Sequence, residues 1–366
     1  MIARSSIRIL FAAALLFAAG CASPAARRQT PLSQAELDQF LAGGRDARYY
    51  GITTYQDAAG ARFEFANRVH QDRSAQMDFS SPRPLRIPVL KARTATFVPF
   101  NLLLDSSARQ NWLLLQSVAA MDYRTFKPPT GEYADHVVSE IPGYAGVANK
   151  IVLDELHVES PVFYVAPARG DLGPAARAGS PAGAAPVSAP RRALAARTHA
   201  VMGAALMRSF AFIHFDFPNR FVRFSSHATY RPASPSAVLA HLPLRDWRGR
   251  PAVQGTLAGE PILLVIDTAG DFDLSLPGDA DGATGPLVLG ELALDEVRIS
   301  SHAARGLPET FPARLGLGIL SRYAVTLDHK NQRVWFEGKP LPGAEESAPS
   351  AEDENAAPVH YRGITR

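Results

Sequence analysis

Cysteine is nearly absent from this chain of 366 residues, which contains one, Cys21. A single thiol excludes an intramolecular disulfide and a metal site built from several cysteines. Clusters of basic residues are also missing: the formal net charge is +3, and Arg4 and Arg8 in the N-terminal segment contribute to it. Lysine and arginine otherwise form only short pairs such as Arg27-Arg28. The sequence therefore predicts no nucleic-acid binding.

The short motifs of several large enzyme classes are absent too. The chain has no His-Glu-x-x-His, no Gly-x-Ser-x-Gly, no Walker A loop and no Gly-x-Gly-x-x-Gly. The histidines are scattered without the spacing of metal ligands. We therefore expect neither a metal nor an organic cofactor.

The N-terminal segment has the composition of a secretory signal. Its apolar core, residues 9–17, is too short to span a bilayer as a permanent helix, and Ala18-Ala19-Gly20-Cys21 follows it as a small-residue cleavage site. This arrangement resembles the bacterial lipoprotein signal, which implies acylation of Cys21 as the first mature residue. Ala22 then favours the outer membrane, facing the periplasm. The alternative is an ordinary cleaved signal with an incidental cysteine.

Two distant segments of the chain share one design. Residues 101–108 and 263–270 each consist of an apolar run that ends in Asp and then Ser or Thr, at Asp105 and Asp267. A matching block follows each of them, with aligned glycines at Gly203 and Gly316. Two parts of the chain that match both in their first segment and in a later block indicate an internal duplication.

These segments resemble the retropepsin-like and pepsin-like aspartic peptidases over about residues 86–338. The resemblance implies a mainly β fold of two retropepsin-like lobes with short helices, an acid-protease-type pseudo-dimer within one polypeptide, and hence a monomer. The chain departs from the family at the third motif position, where Ser107 and Ala269 stand in place of glycine.

A two-fold relation between the lobes would bring the carboxyls of Asp105 and Asp267 together. Two like charges that close share one proton, so that one carboxylate activates a water and the protonated partner donates to the scissile carbonyl. The resemblance implies that the hydroxyls of Ser106 and Thr268 hydrogen-bond across to the opposite lobe. Taken singly, each Asp is more typical of a turn than of a catalyst.

The resemblance also predicts a flap over the site. Residues 137–146 have the apolar arms and the Pro-Gly tip of a hairpin, with Tyr144 near the tip. A surface turn tyrosine is an equally good interpretation.

The predicted organisation has five parts. They are a signal with its acylated cysteine (1–21), a tether with a short helix and N-terminal strands (22–85), a first lobe (86–230) with a flexible insertion at about 166–197, a second lobe (231–340) and a disordered tail (341–366).

Two functions fit these observations. The first is a membrane-anchored aspartic endopeptidase of the bacterial cell envelope that cleaves an extended polypeptide. The second is a catalytically impaired lipoprotein that binds a peptide or an envelope partner in the same cleft, with Ser107 and Ala269 as marks of lost chemistry. A purely structural lipoprotein is a weaker alternative. All three place the protein on a membrane through its lipid anchor.

Overall fold

The structure is a computed structural model that describes the chain in blocks. These are residues 72–114 except 84, 123–127, 145–166, 197–305 and 309–338, together with four short strands before residue 70 and the single positions 194 and 307.

The described part of the chain up to residue 225 is built from strands and one short helix. Its elements are β1 (Arg45–Asp46), β2 (Thr53–Asp57), β3 (Gly60–Glu64), β4 (Arg68–Val69), β5 (Ser74–Asp78), β6 (Val89–Thr94), β7 (Pro99–Leu104), β8 (Trp112–Leu114), β9 (Tyr123–Lys127), β10 (Ala145–Ala148), β11 (Lys150–Leu153), β12 (Leu156–Glu159), β13 (Val162–Ala166), β14 (Ala200–Met202), α1 (Ala204–Met207), β15 (Phe212–Asp216) and β16 (Phe221–Ser225).

The remaining described residues also form strands and one short α-helix. They form β17 (Val238–Pro243), β18 (Arg245–Trp247), β19 (Arg250–Leu257), β20 (Glu260–Ile266), β21 (Leu274–Leu276), β22 (Thr284–Leu289), β23 (Leu292–Ser301), β24 (Ala313–Leu315), α2 (Leu317–Leu320), β25 (Ala324–Asp328) and β26 (Arg333–Glu337), with short 3-10 helices at Pro235–Ala237 and Ala303–Arg305.

Each lobe has its own sheet with the same central arrangement. In the first lobe, β7 lies between its hairpin partner β6 and the parallel strand β14. In the second, β20 lies between its hairpin partner β19 and the parallel strand β24. The last residues of β7 and β20 are fully or nearly fully buried, because these strands are covered on both faces. Each of the two strands leads directly into an aspartate, Asp105 or Asp267.

The aligned glycines are the N-caps of the two short helices. α1 follows Gly203 and α2 follows Gly316. A Cβ at Gly203 would lie 2.2 Å from the carbonyl oxygen of Gln110, and a Cβ at Gly316 would lie 2.2 Å from that of Phe272. Both positions need glycine because the backbone of another segment passes too close for a side chain, and neither has a positive φ.

A six-stranded sheet joins the lobes, with the order β17-β26-β25-β15-β16-β5. At its centre β15 pairs antiparallel with β25, and each forms a hairpin with the strand that follows it. The hairpin turns are also matched: Asn219 donates two hydrogen bonds to Asp216, and Asn331 donates two to Asp328. These two aspartates are therefore turn-forming residues.

The N-terminal segment contributes to this joining sheet. Strand β5 pairs with β16 along its whole length, and the ring of Phe79, just after β5, packs edge-on against Phe217 at 5.9 Å between centroids. The connection between the lobes, residues 226–237, is held at Tyr230, which is buried and donates a hydrogen bond to Glu337.

The predicted fold class is confirmed: the chain is mainly β, with two similar lobes and few short helices. The predicted insertion falls largely outside the described residues, and the N-terminal helix and the C-terminal tail fall wholly outside them. The five-part division stays a prediction.

Candidate active site between the two lobes

The two predicted catalytic residues occupy matched positions at the ends of β7 and β20. The backbone N–H of Asp105 donates to the carbonyl of Met202, and that of Asp267 donates to the carbonyl of Leu315. Asp105 is 2% exposed and Asp267 is 0% exposed. A buried carboxyl needs hydrogen-bond donors or an opposite charge, and the two residues meet that need differently.

Reciprocal hydrogen bonds link the turns that carry these carboxyls. The Ser106 hydroxyl donates to the carbonyl of Ile266 at 2.6 Å, and the Thr268 hydroxyl donates to the carbonyl of Leu104 at 2.8 Å. Each hydroxyl also accepts a hydrogen bond from the other residue's backbone N–H, at 3.0 and 3.2 Å. Both residues are fully buried. This closed set of four bonds fixes one aspartate turn against the other across the lobe boundary.

Hydrogen bonds to a single oxygen hold the carboxyl of Asp105. Its Oδ1 accepts from the Ser107 backbone N–H at 2.9 Å, from the Ser107 hydroxyl at 2.6 Å and from the Ala108 backbone N–H at 3.1 Å. Ser107 thus places a hydroxyl donor where glycine would leave none. Its φ is not positive, and neither is that of Ala269, so the side chains at the third motif position cause no backbone strain.

A cation contacts the carboxyl of Asp267. Its Oδ1 accepts from the Ala269 backbone N–H at 3.1 Å, and Arg314 Nη2 lies 3.1 Å from its Oδ2. The approach of Arg314 is that of an ion pair without hydrogen-bond geometry, since Oδ2 has no hydrogen-bond partner among the described residues. Both side chains are buried, with 5% of Arg314 and 0% of Asp267 exposed.

The two carboxyls interact electrostatically. Burial raises the pKa of Asp105 above its usual value, and the negative charge of Asp267 raises it further. The Ser107 hydroxyl, the Arg314 guanidinium and the Ala108 N–H each oppose that rise. A pair with one raised pKa holds a proton at a pH where an exposed aspartate has none.

Arginine and aromatic side chains of the second lobe lie beside the dyad. Arg250 Nε donates to the carbonyl of Ser107 at 2.7 Å, across the lobe boundary. Its guanidinium lies 4.9 Å from the ring centroid of Phe311 and 5.4 Å from that of Trp247. Arg314 also lies over Phe311, at 5.9 Å. Two half-buried rings, the half-buried Arg250 and the buried Arg314 therefore form one side of the surroundings of the two aspartates.

The structure brings six of the eight predicted site residues together: Asp105, Ser106, Ser107, Asp267, Thr268 and Ala269. Tyr144 of the predicted flap and Cys21 of the predicted anchor lie outside the described residues. The part of the chain that the structure describes contains no helix long and apolar enough to cross a membrane. It also contains no cluster of three or more His, Cys, Asp or Glu side chains arranged for a metal ion.

Comparison with known proteins gives a structural match alone. No family model matches the chain, and no curated protein matches it. Among solved structures, basic 7S globulin from soybean is similar, with a TM-score of 0.46 and 12% sequence identity over 72% of this chain and 95% of that one.

These comparisons correct one prediction. The assignment to the aspartic peptidase family, in a single-chain form with a bacterial lipoprotein signal, is wrong, because no model of that family matches the sequence and no match supports the signal. The short blocks around Asp105 and Asp267 end the matched strands β7 and β20, so they indicate architecture without showing membership. The location in the cell envelope stays an untested prediction.

Sequence analysis missed Arg314 and Gly270. Aligning the strands before the two glycines, Ala200-Val201-Met202 with Ala313-Arg314-Leu315, shows a charge in an otherwise apolar segment. Gly270 stands one position after the expected glycine, and a Cβ there would lie 2.5 Å from Asp267 Oδ2. Both features surround the same oxygen of Asp267.

Proposed function

We propose that the site between the lobes hydrolyses peptide bonds through Asp105, Asp267 and a water molecule. One observation carries the proposal: two buried carboxyls end matched strands and are fixed to each other by the reciprocal bonds of Ser106 and Thr268. Such rigid placement of two acids of different protonation is what general acid–base hydrolysis requires.

The reaction uses one proton on the pair. The carboxylate takes a proton from water while the water oxygen bonds to the peptide carbonyl carbon, and the protonated carboxyl donates to the carbonyl oxygen. In the second step the carboxyl that took the proton from water donates it to the amide nitrogen, and the carbon–nitrogen bond breaks. The other carboxylate takes a proton from a hydroxyl of the tetrahedral intermediate, which collapses to a carboxylic acid and an amine, so that the pair returns to its starting protonation. The substrate is an extended polypeptide.

The test is a digest of a peptide library by the full chain at several pH values between about 3 and 7, a range that spans carboxyl titration, read by mass spectrometry. We expect cleavage by the unmodified protein and a loss of at least about 100-fold in Asp105→Asn and in Asp267→Asn, the scale of general acid–base catalysis. Asp295→Asn, at an exposed aspartate of β23, is the matched control and retains activity. Cleavage that survives either dyad substitution excludes the mechanism.

A second candidate is a module that binds a peptide without cleaving it. The ion pair between Arg314 and Asp267 favours it, because Arg314 occupies the oxygen of Asp267 that accepts no hydrogen bond from the described residues and would compete there with a water. Fluorescence anisotropy on labelled library peptides separates the two candidates. Saturable binding by the unmodified protein, with no cleavage at any pH, supports the binding module and contradicts the hydrolase.

A further inference from the structure

The two lobes differ at one matched position beside the dyad. In the first lobe Val201 pairs with Leu103, two residues before Asp105. In the second lobe Arg314 pairs with Val265, two residues before Asp267. The duplication therefore places an arginine in one half where the other half has an apolar side chain.

Arg314 is buried together with its partner carboxylate. Its Nη2 lies 3.1 Å from Asp267 Oδ2, its side chain is 5% exposed, and its Nε has no hydrogen-bond partner among the residues described. A buried guanidinium without an opposite charge is costly, and arginine does not lose its proton in proteins. The buried guanidinium therefore needs a negative charge beside it, and Asp267 Oδ2 is the acidic group in contact with it.

We infer that Arg314 is a built-in counter-ion of the dyad, which keeps Asp267 as the carboxylate and leaves the shared proton on Asp105. Asp267 is then the base toward water and Asp105 the acid toward the carbonyl. Arg314 acts through Asp267, so it is a positioning residue. The acid and base roles rest on the proposed hydrolysis, whereas the location of the proton does not.

The other charged groups around the dyad leave this asymmetry in place. Arg250, from β19, is directed to the carbonyl of Ser107 on the Asp105 side. His302 follows β23, and burial is the main reason that its pKa is lowered, with the charge of Arg314 contributing. Its two ring nitrogens are engaged by the Ser275 hydroxyl at 2.8 Å and by the Pro312 carbonyl at 3.1 Å. Among the described residues, Asp267 thus differs from Asp105 in its direct contact with a cation, the ion pair between its Oδ2 and Arg314.

Removing the positive charge has a defined direction. A nearby cation favours the ionised form of a carboxyl, and Arg314 lowers the pKa of Asp105 against the larger effects of burial and of Asp267. Loss of that charge therefore moves the titration of the dyad to higher pH. Loss of the Asp267 charge moves the titration of Asp105 to lower pH, since Asp105 then loses a repulsive neighbour and keeps an attractive one.

The experiment is a pH titration of the full chain labelled with ¹³C at the aspartate carboxyl carbons, observed by NMR without substrate. Asp105→Asn and Asp267→Asn assign the two signals. Arg314→Val introduces the residue type of the first lobe, and Arg314→Lys is the matched control that keeps the charge. We expect the titration midpoint of the dyad to rise by about one pH unit in Arg314→Val and to change little in Arg314→Lys. In Asp267→Asn we expect the titration midpoint of Asp105 to fall.

Two results would overturn the inference. One is an unchanged dyad midpoint in Arg314→Val, and the other is a proton on Asp267 in the singly protonated unmodified protein. If circular dichroism shows that Arg314→Val does not fold, the Asp267→Asn titration decides, and a midpoint of Asp105 that stays or rises contradicts the inference. A protein that cleaves no peptide but titrates as expected refutes the hydrolase alone.

Discussion

At the scale of single residues, the two dyad aspartates show how matched positions acquire different chemistry. Asp105 receives two donors from Ser107, one of them a hydroxyl that Ala269 lacks in the other lobe. Asp267 receives a cation instead. Hydrogen bonds to one oxygen leave the other oxygen of Asp105 able to hold a proton, whereas an ion pair requires the charge. A hydroxyl in one turn and an arginine on β24 therefore give the two carboxyls different surroundings.

His214 gives a prediction on acid stability. Burial lowers its pKa from 6.5 to about 4, and its Nδ1 lies 2.9 Å from the Thr326 hydroxyl. The folded state therefore prefers the neutral ring, and stability is lost as the pH falls from about 6.5 to about 4, where the unfolded chain binds a proton and the folded chain does not. The loss amounts to about 3 kcal/mol for this residue.

Urea unfolding at pH 7 and at pH 4.5 measures the effect in His214→Gln. We expect the variant to lose less stability than the unmodified protein over this interval, because Gln does not titrate. His227→Gln, at an exposed histidine, is the control and keeps the full pH dependence. An equal loss of stability in the protein with and without His214 would contradict the prediction.

At the scale of elements, the short helices α1 and α2 depend on the glycines before them. A Cβ at Gly203 or Gly316 would lie 2.2 Å from a backbone carbonyl oxygen of the loop after the aspartate turn. That loop must move, and it follows closely on the residues that donate to the dyad, Ser107 and Ala108 in the first lobe and Ala269 in the second. We expect Gly203→Ala and Gly316→Ala each to lower the free energy of unfolding by about 1–3 kcal/mol, the usual cost of overpacking.

Gly285→Ala is the matched control for these substitutions. A Cβ at Gly285 has one neighbour, Leu257 Cδ1 at 3.8 Å, which is ordinary contact. Guanidinium unfolding of the three variants checks the prediction, and the control stays within about 0.5 kcal/mol of the unmodified protein, as surface substitutions do. Equal stability of all three variants would show that the loops accommodate the added carbon without cost.

The elements also show what the sequence could reveal. The matched blocks around Asp105 and Asp267 predicted the two lobes, because a duplicated fold needs the same residue types at the same turns. The ion pair of Arg314 with Asp267 could not be predicted from the sequence, because the pairing register of β24 decides which of its side chains lies beside the dyad. The role of β5 was missed for a similar reason: its partner β16 is distant in sequence, and alternation along a strand does not identify its neighbour.

At the scale of the whole molecule, the joining sheet makes the two lobes depend on each other. Its central pair, β15 and β25, comes from different lobes, and Phe215 lies opposite Val325 with both side chains fully buried. One continuous cluster of buried apolar residues includes members of both lobes. The unfolding of one lobe would expose apolar surface and unpaired strand edges of the other.

We therefore expect one unfolding transition, which the three tryptophans can report locally. Trp112 lies in the first lobe, Trp247 in the second and Trp335 in the joining sheet. Three variants that each keep one tryptophan, with the others changed to Phe, are unfolded in urea. Within each variant, the fluorescence midpoint should coincide with the midpoint from far-ultraviolet circular dichroism, which follows all strands. Adding Phe215→Ala should lower every midpoint, at a cost of about 3–5 kcal/mol. Fluorescence of Trp112 or Trp247 that changes ahead of the circular dichroism would contradict the expectation, because it would show one lobe unfolding while the other persists.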